Sequence, residues 1–103
     1  MIVIRFKVQC QPERTEDALA AFGAVVEPSR VIDGVVSFDV GRDVLDPNTI
    51  IATEVFEDEE ARTRQESLPE VANVMSLLPS ILAAPPEATV FQIASAADAF
   101  AAA

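Results

Sequence analysis

An α+β domain, one antiparallel four-stranded sheet with helices on one face, is predicted by three observations. Hydrophobic periodicity alternates between two and about 3.6 along the chain, in the order β-α-β-β-α-β. Only Asp43 to Asn48 separate the second strand from the third, so a hairpin joins them. Half of the 103 residues are hydrophobic, enough for one core, and no stretch reads as an interdomain linker. Residues 1–94 are therefore expected to form one domain, followed by an alanine-rich tail over 95–103.

The first strand runs from Ile2 to Cys10. Ile2, Ile4, Phe6, Val8 and Cys10 share its core face, and Val3, Arg5, Lys7 and Gln9 share the other. Gln11-Pro12 ends it, because proline donates no ladder hydrogen bond and suits the first turn of a helix. The helix that follows carries Leu19, Phe22, Val25 and Val26 on its apolar stripe, with Glu13, Glu16 and Asp17 at its dipole-positive end. Glu27-Pro28-Ser29 is expected to close it.

A second strand spans Val31 to Arg42, with Ile32, Val36, Phe38 and Val40 on the core face, Ser37 and Asp39 opposite, and Gly34 marking a bulge or bend near its start. The third strand, Thr49 to Glu57, sets Ile51, Thr53 and Val55 against Ile50, Ala52, Glu54 and Phe56. A short polar helix from Asp58 to Glu66 is interrupted at Leu68-Pro69. Beyond it, Val71, Val74, Met75, Leu78, Ile81 and Leu82 recur at helical spacing, with Pro79 expected to end or kink the helix a turn early. Pro85-Pro86 stops it, and Glu87 to Ala94 reads as the last strand. The tail from Ser95 to Ala103 is expected to fray or to form a short helix. This order is the ferredoxin-like split βαβ arrangement, which leaves one sheet face free for solvent or a partner.

Seven Lys and Arg against 17 Asp and Glu give a formal charge of −10. A surface this acidic disfavours nucleic acid and anionic membranes, both of which require cationic neutralisation. The opening Met-Ile-Val-Ile-Arg lacks a basic n-region and a long apolar run, and no stretch approaches the ~20 apolar residues of a membrane span. A lone cysteine, Cys10, points to a reducing cytoplasm and, on an apolar face, to an inert core role.

There is no His, Trp or Tyr. Zinc sites of the usual N/S kind, His-ligated haem, and Ser-His-Asp or Cys-His nucleophile systems therefore lack their essential groups. Gly23, Gly34 and Gly41 are too scattered for a phosphate loop. Asp43, Asp46 and Asn48 are oxygen ligands without calcium-loop spacing, and Asp-Pro-Asn is ordinary turn chemistry. Neither a metal nor a bound cofactor is expected.

Several segments in order carry a family resemblance: Ser37-Phe38-Asp39-Val40-Gly41-Arg42-Asp43, Asp46-Pro47, Glu54-Val55-Phe56-Glu57-Asp58-Glu59-Glu60-Ala61, Pro69, Leu77-Leu78-Pro79 and Pro85-Pro86-Glu87-Ala88-Thr89-Val90. Across residues 1–94 the chain resembles the antibiotic biosynthesis monooxygenase domain family. The resemblance implies a dimeric α/β barrel, a homodimer whose two sheets press together. It also implies cofactor-independent oxygenation of a small aromatic, quinol or polyketide-like substrate by molecular oxygen. Family members commonly place tryptophan where Phe56 stands, histidines where Gln65 and Glu70 stand, and an aromatic at Val71. Without the iron-ligating histidine, the haem-degrading branch is excluded.

Such oxygenation begins by deprotonating an electron-rich phenol, which asks for a dry cavity, a base and oxyanion donors. Glu54, mid-strand between Ala52 and Phe56, is the candidate base, against a salt bridge to Arg5, Arg42 or a partner's arginine. Arg42 is the candidate anion stabiliser, against a turn-side ion pair. Asn48 and Gln65 are candidate hydrogen-bonding residues. Phe38 and Phe56, with Phe6, Phe22 and Phe91, are candidate walls for an aromatic ligand, although one core explains the same set, as it does Met75. The alternative function is a non-catalytic dimeric barrel that binds a small hydrophobic ligand.

Overall fold

A computed structural model describes residues 1–101. Its elements are β1 (Ile2–Gln9), a 3₁₀ turn (Pro12–Arg14), α1 (Thr15–Arg30), β2 (Val35–Arg42), β3 (Thr49–Phe56), α2 (Glu59–Glu66), α3 (Pro69–Ile81) and β4 (Glu87–Gln92). The four strands form one antiparallel sheet in the order β2-β3-β1-β4, and the helices pack on one face of it. This is the ferredoxin-like arrangement the residue pattern predicts, with the second helical stretch split into two helices at Ser67-Leu68.

The helix-facing side of the sheet carries Ile2, Ile4, Val8, Phe38, Ile50, Ala52 and Phe56, all buried. Onto it α1 lays Ala18, Ala21, Phe22 and Val25, and α3 lays Val74, Leu78 and Ile81. Phe6 and Phe22 stack across the layers at a centroid distance of 6.0 Å. A smaller cluster of Ile2, Ile4, Phe56 and Ala61 seats α2 on the sheet. The Asp58 carboxylate caps α2 by accepting from the Ala61 N–H at 2.9 Å, which satisfies one of the helix's orphan donors.

Local departures from the expected pattern have physical causes. The second strand begins at Val35 rather than Val31, because Gly34 turns the chain with φ +88°. A Cβ on Gly34 would lie 2.6 Å from the Ala61 Cβ, so the close approach also requires glycine. Just beyond, the β2–β3 register shifts between Val35 and Ser37, and this bulge turns Val36 outward to 53% exposure instead of into the core.

Both expected proline stops are also overrun: α1 continues past Pro28 to Arg30, and α3 past Pro79 to Ile81. Each proline sits in the last turn, where few ladder bonds remain to be lost. Past Pro28, buried Ser29 is anchored by Gln65, and Arg30 by the Phe38 carbonyl. Past Pro79, Ile81 is buried in the core. Met75 is not a core residue; it is 56% exposed.

Of the tail, Ser95–Ala101 contain no helix or strand, only a turn closed by Ala101 N–H to the Asp98 carbonyl; residues 102 and 103 lie outside the described residues. No helix among the described residues is long and apolar enough to cross a membrane.

Candidate functional site

Between the helix layer and the sheet lies a cavity of about 230 Å³. The sheet contributes Ile4 and Phe6 from β1, Phe38 from β2, Ala52 and Glu54 from β3, and Ala88 and Val90 from β4. The helices contribute Phe22 and Val25 of α1, Arg62, Gln65 and Glu66 of α2, and Val71, Val74 and Met75 of α3, and the cavity is open to solvent beside exposed Met75 and Val90. Strand alternation places Glu54 here: it shares a face with buried Ala52 and Phe56, opposite Ile4 on one neighbour and Phe38 on the other.

The Glu54 carboxyl is the chemically distinctive group of the cavity. Burial among apolar walls, reinforced by the nearby Glu66 carboxylate and only partly offset by the Arg62 guanidinium, pushes its pKa from 4.5 up to about 7. The two arginines of this chain considered as its ion-pair partners lie elsewhere. Arg42 pairs with Glu16 at 2.7 Å, and Arg5 lies on the opposite face of the sheet between Thr53 and Thr89. Arg62 donates from Nε to Glu66 at 2.6 Å, and its other arm lies 3.7 Å from Glu59. A carboxyl titrating near neutrality at the edge of an apolar cavity can accept a proton from a bound hydroxyl.

Gln65 is fully buried beside the cavity, and its Nε2 donates to Ser29 Oγ at 3.0 Å. That bond ties α2 to the end of α1 and fixes the amide where its oxygen can receive a ligand donor. The cavity thus brings together Glu54, Gln65 and Phe38 of the residues singled out from sequence.

It does not bring in the other three. Arg42 is on the helix-facing side, but at the end of β2, where its guanidinium meets α1 through Glu16 rather than the cavity. Asn48 accepts from Thr15 Oγ1 at 2.8 Å through its side chain and from the Cys10 N–H through its carbonyl, so it serves the β2–β3 turn. In the same turn, Asp46 accepts from Asn48 N–H and Thr49 Oγ1, which lowers its pKa. Phe56 is wholly buried in the smaller cluster against Ala61, outside the cavity. Phe91, also considered as a wall, lies on the free face of the sheet beside Val3. Cys10 is buried, and burial raises its thiol pKa, as an inert core residue requires.

Sequence reasoning missed Arg62 and Glu66. Their helix reads as uniformly polar, and the available signal was spacing alone: Ala61 and Gln65 are four apart, so Arg62 and Glu66 flank the buried stripe.

The fold has close structural relatives. Rv0793 of Mycobacterium tuberculosis superposes with a TM-score of 0.85 at 18% identity, covering 94% of this chain and 98% of that one. A crystal structure of an antibiotic biosynthesis monooxygenase gives 0.81 at 16% identity, over 92% and 100% of the two chains. PA3566 of Pseudomonas aeruginosa gives 0.81 at 17%, over 91% and 94%. By sequence, the uncharacterized protein sll1783 of Synechocystis sp. is 26% identical over 93 residues, 90% of this chain, and the match spans 63% of that protein's length. At these identities the structural likenesses speak for the fold. The family model for antibiotic biosynthesis monooxygenase matches residues 1–75, nearly three quarters of the 103-residue chain. The chain belongs to the antibiotic biosynthesis monooxygenase family.

Proposed function

We infer that this protein is a cofactor-independent monooxygenase that oxidises a small aromatic, quinol-like substrate with molecular oxygen. The observation that carries the reading is Glu54, a carboxyl with a pKa near 7 facing an apolar, phenylalanine-walled cavity and forming no ion pair among the described residues. An ordinary glutamate in water is too weak a base for a phenol, whereas one tuned to neutrality sits where general-base transfer is efficient.

In this reading Glu54 takes the phenolic proton and the phenolate passes an electron to oxygen. Recombination leaves one oxygen atom on the ring, and the second departs as water. All four electrons come from the substrate, so a quinol and O₂ become a hydroxyquinone and water with no external reductant. Gln65 accepts a hydrogen bond from the substrate through its side-chain oxygen, and Phe6, Phe22 and Phe38 bracket its ring.

The working unit is a homodimer closed through the free sheet face. That face carries Val3, Ile51, Val55 and Phe91 among polar neighbours, no helix of the described residues covers it, and Phe91 is exposed there. The test of the chemistry is oxygen uptake with hydroquinones and polycyclic phenols. Glu54→Gln is expected to slow it by about 10²–10⁴-fold, the usual worth of a general base. Unchanged uptake by the variant would remove Glu54 from the mechanism.

A further inference from the structure

We propose that Glu66 is a specificity-determining residue that makes the cavity select by charge, admitting rings with a neutral hydrogen-bond-donating head and excluding rings that carry a carboxylate. This rests on the cavity being the ligand site, and it concerns which ligands enter rather than what happens to them.

The charged groups lining the cavity are Glu54 on β3 and Arg62 and Glu66 on α2. The other walls, from β1, β2, α1, α3 and β4, contribute no charge. An anionic ligand therefore has one cation to meet, Arg62, and that cation is already committed. Its Nε is held 2.6 Å from Glu66 Oε1, and its NH1 stands 3.7 Å from Glu59. Two carboxylates share one guanidinium, so a third would enter uncompensated. Glu66 lines the cavity together with Glu54, whose pKa its charge helps to raise, and the same repulsion opposes a ligand that enters as a carboxylate. A phenol or amine head meets the opposite situation, because the carboxyl groups that line the cavity can accept from its donors.

Binding alone tests this, without turnover. 2-Naphthol, 2-naphthylamine and 2-naphthoate share one ring system and differ in head group. Affinity is read by titration calorimetry under nitrogen, at pH 6 and pH 8. The wild type is expected to bind 2-naphthol at least about tenfold more tightly than 2-naphthoate, a gap that widens at pH 8 as Glu54 ionises. It should narrow in 0.5 M salt, because Glu66 is partly exposed and its field is screened. Glu66→Gln, a change at the exposed end of α2, should shrink the naphthol-to-naphthoate ratio about fivefold, and Arg62→Gln should enlarge it. Equal affinity for the two ligands, or a ratio unmoved by Glu66→Gln, overturns the charge selection and leaves the cavity reading standing. Failure of all three rings to bind overturns both.

Discussion

Replacing Glu54 by glutamine should stabilise the protein, and only above about pH 5. The unfolded chain releases the Glu54 proton near 4.5, whereas the folded chain holds it to about 7. Between those values the folded state binds more protons, so stability falls as pH rises, and the loss is complete above about 7. At 1.36 kcal/mol per pH unit, that interval amounts to about 3 kcal/mol. Glutamine has nearly the same shape and cannot ionise, so the variant lacks this decline. Urea unfolding of both proteins, followed by circular dichroism at equal protomer concentration, gives the difference directly. Near pH 4.5 the two should be equally stable, and by pH 8 the variant should lead by about 2–3 kcal/mol. Parallel pH profiles would mean that the Glu54 carboxylate is well solvated when folded. A variant less stable at pH 8 would mean that Glu54 holds a stabilising ion pair. Either result refutes the base assignment at its physical root.

Three further outcomes follow from the packing. Gly34→Ala should lower stability by about 1–3 kcal/mol in the same unfolding assay, because φ +88° and the Ala61 contact both oppose a Cβ. Ser29→Ala should cost about 1–3 kcal/mol by stripping the buried Gln65 amide of its acceptor, and should weaken ligand binding through the freed Gln65. Light scattering coupled to size exclusion should report about twice the 11.0 kDa subunit mass, and a monomer at micromolar concentration would contradict the sheet-to-sheet dimer.

The strands were the most legible part of the chain. Alternation through Ile2–Cys10 and Thr49–Glu57 assigns each face correctly, including the placement of Glu54 with Ala52 rather than with Thr53. Where a backbone irregularity intervenes, alternation misleads: Gly34 signals a bulge or bend, but not that the shift after Val35 turns Val36 outward. Prolines were over-read as stops, since Pro28 and Pro79 fall in final turns whose flanking residues, Ser29 and Ile81, are held by tertiary contacts. The site was legible where it is built from strands and opaque where it is built from α2. A polar eight-residue helix looks solvated on every side, and only the sheet beneath it determines that Gln65 is buried and that Arg62 and Glu66 line a cavity. Arg42 and Asn48 drew attention by type. Their surroundings, Glu16 on α1 and Thr15 at its start, come from distant positions that local reading cannot pair.

The most direct test of the central claim is isotopic. Wild-type protein is incubated with a panel of hydroquinones and polycyclic phenols under ¹⁸O₂, and the products are weighed by mass spectrometry. The account predicts one labelled oxygen atom in the product, with labelled water as the other fate. It also predicts a rate that rises with pH through about 7 as Glu54 ionises, with no added reductant or cofactor. Oxygen consumption without label in the product would contradict it, and no consumption with any ring that the cavity binds would contradict it and identify the protein as a ligand-binding module of this fold.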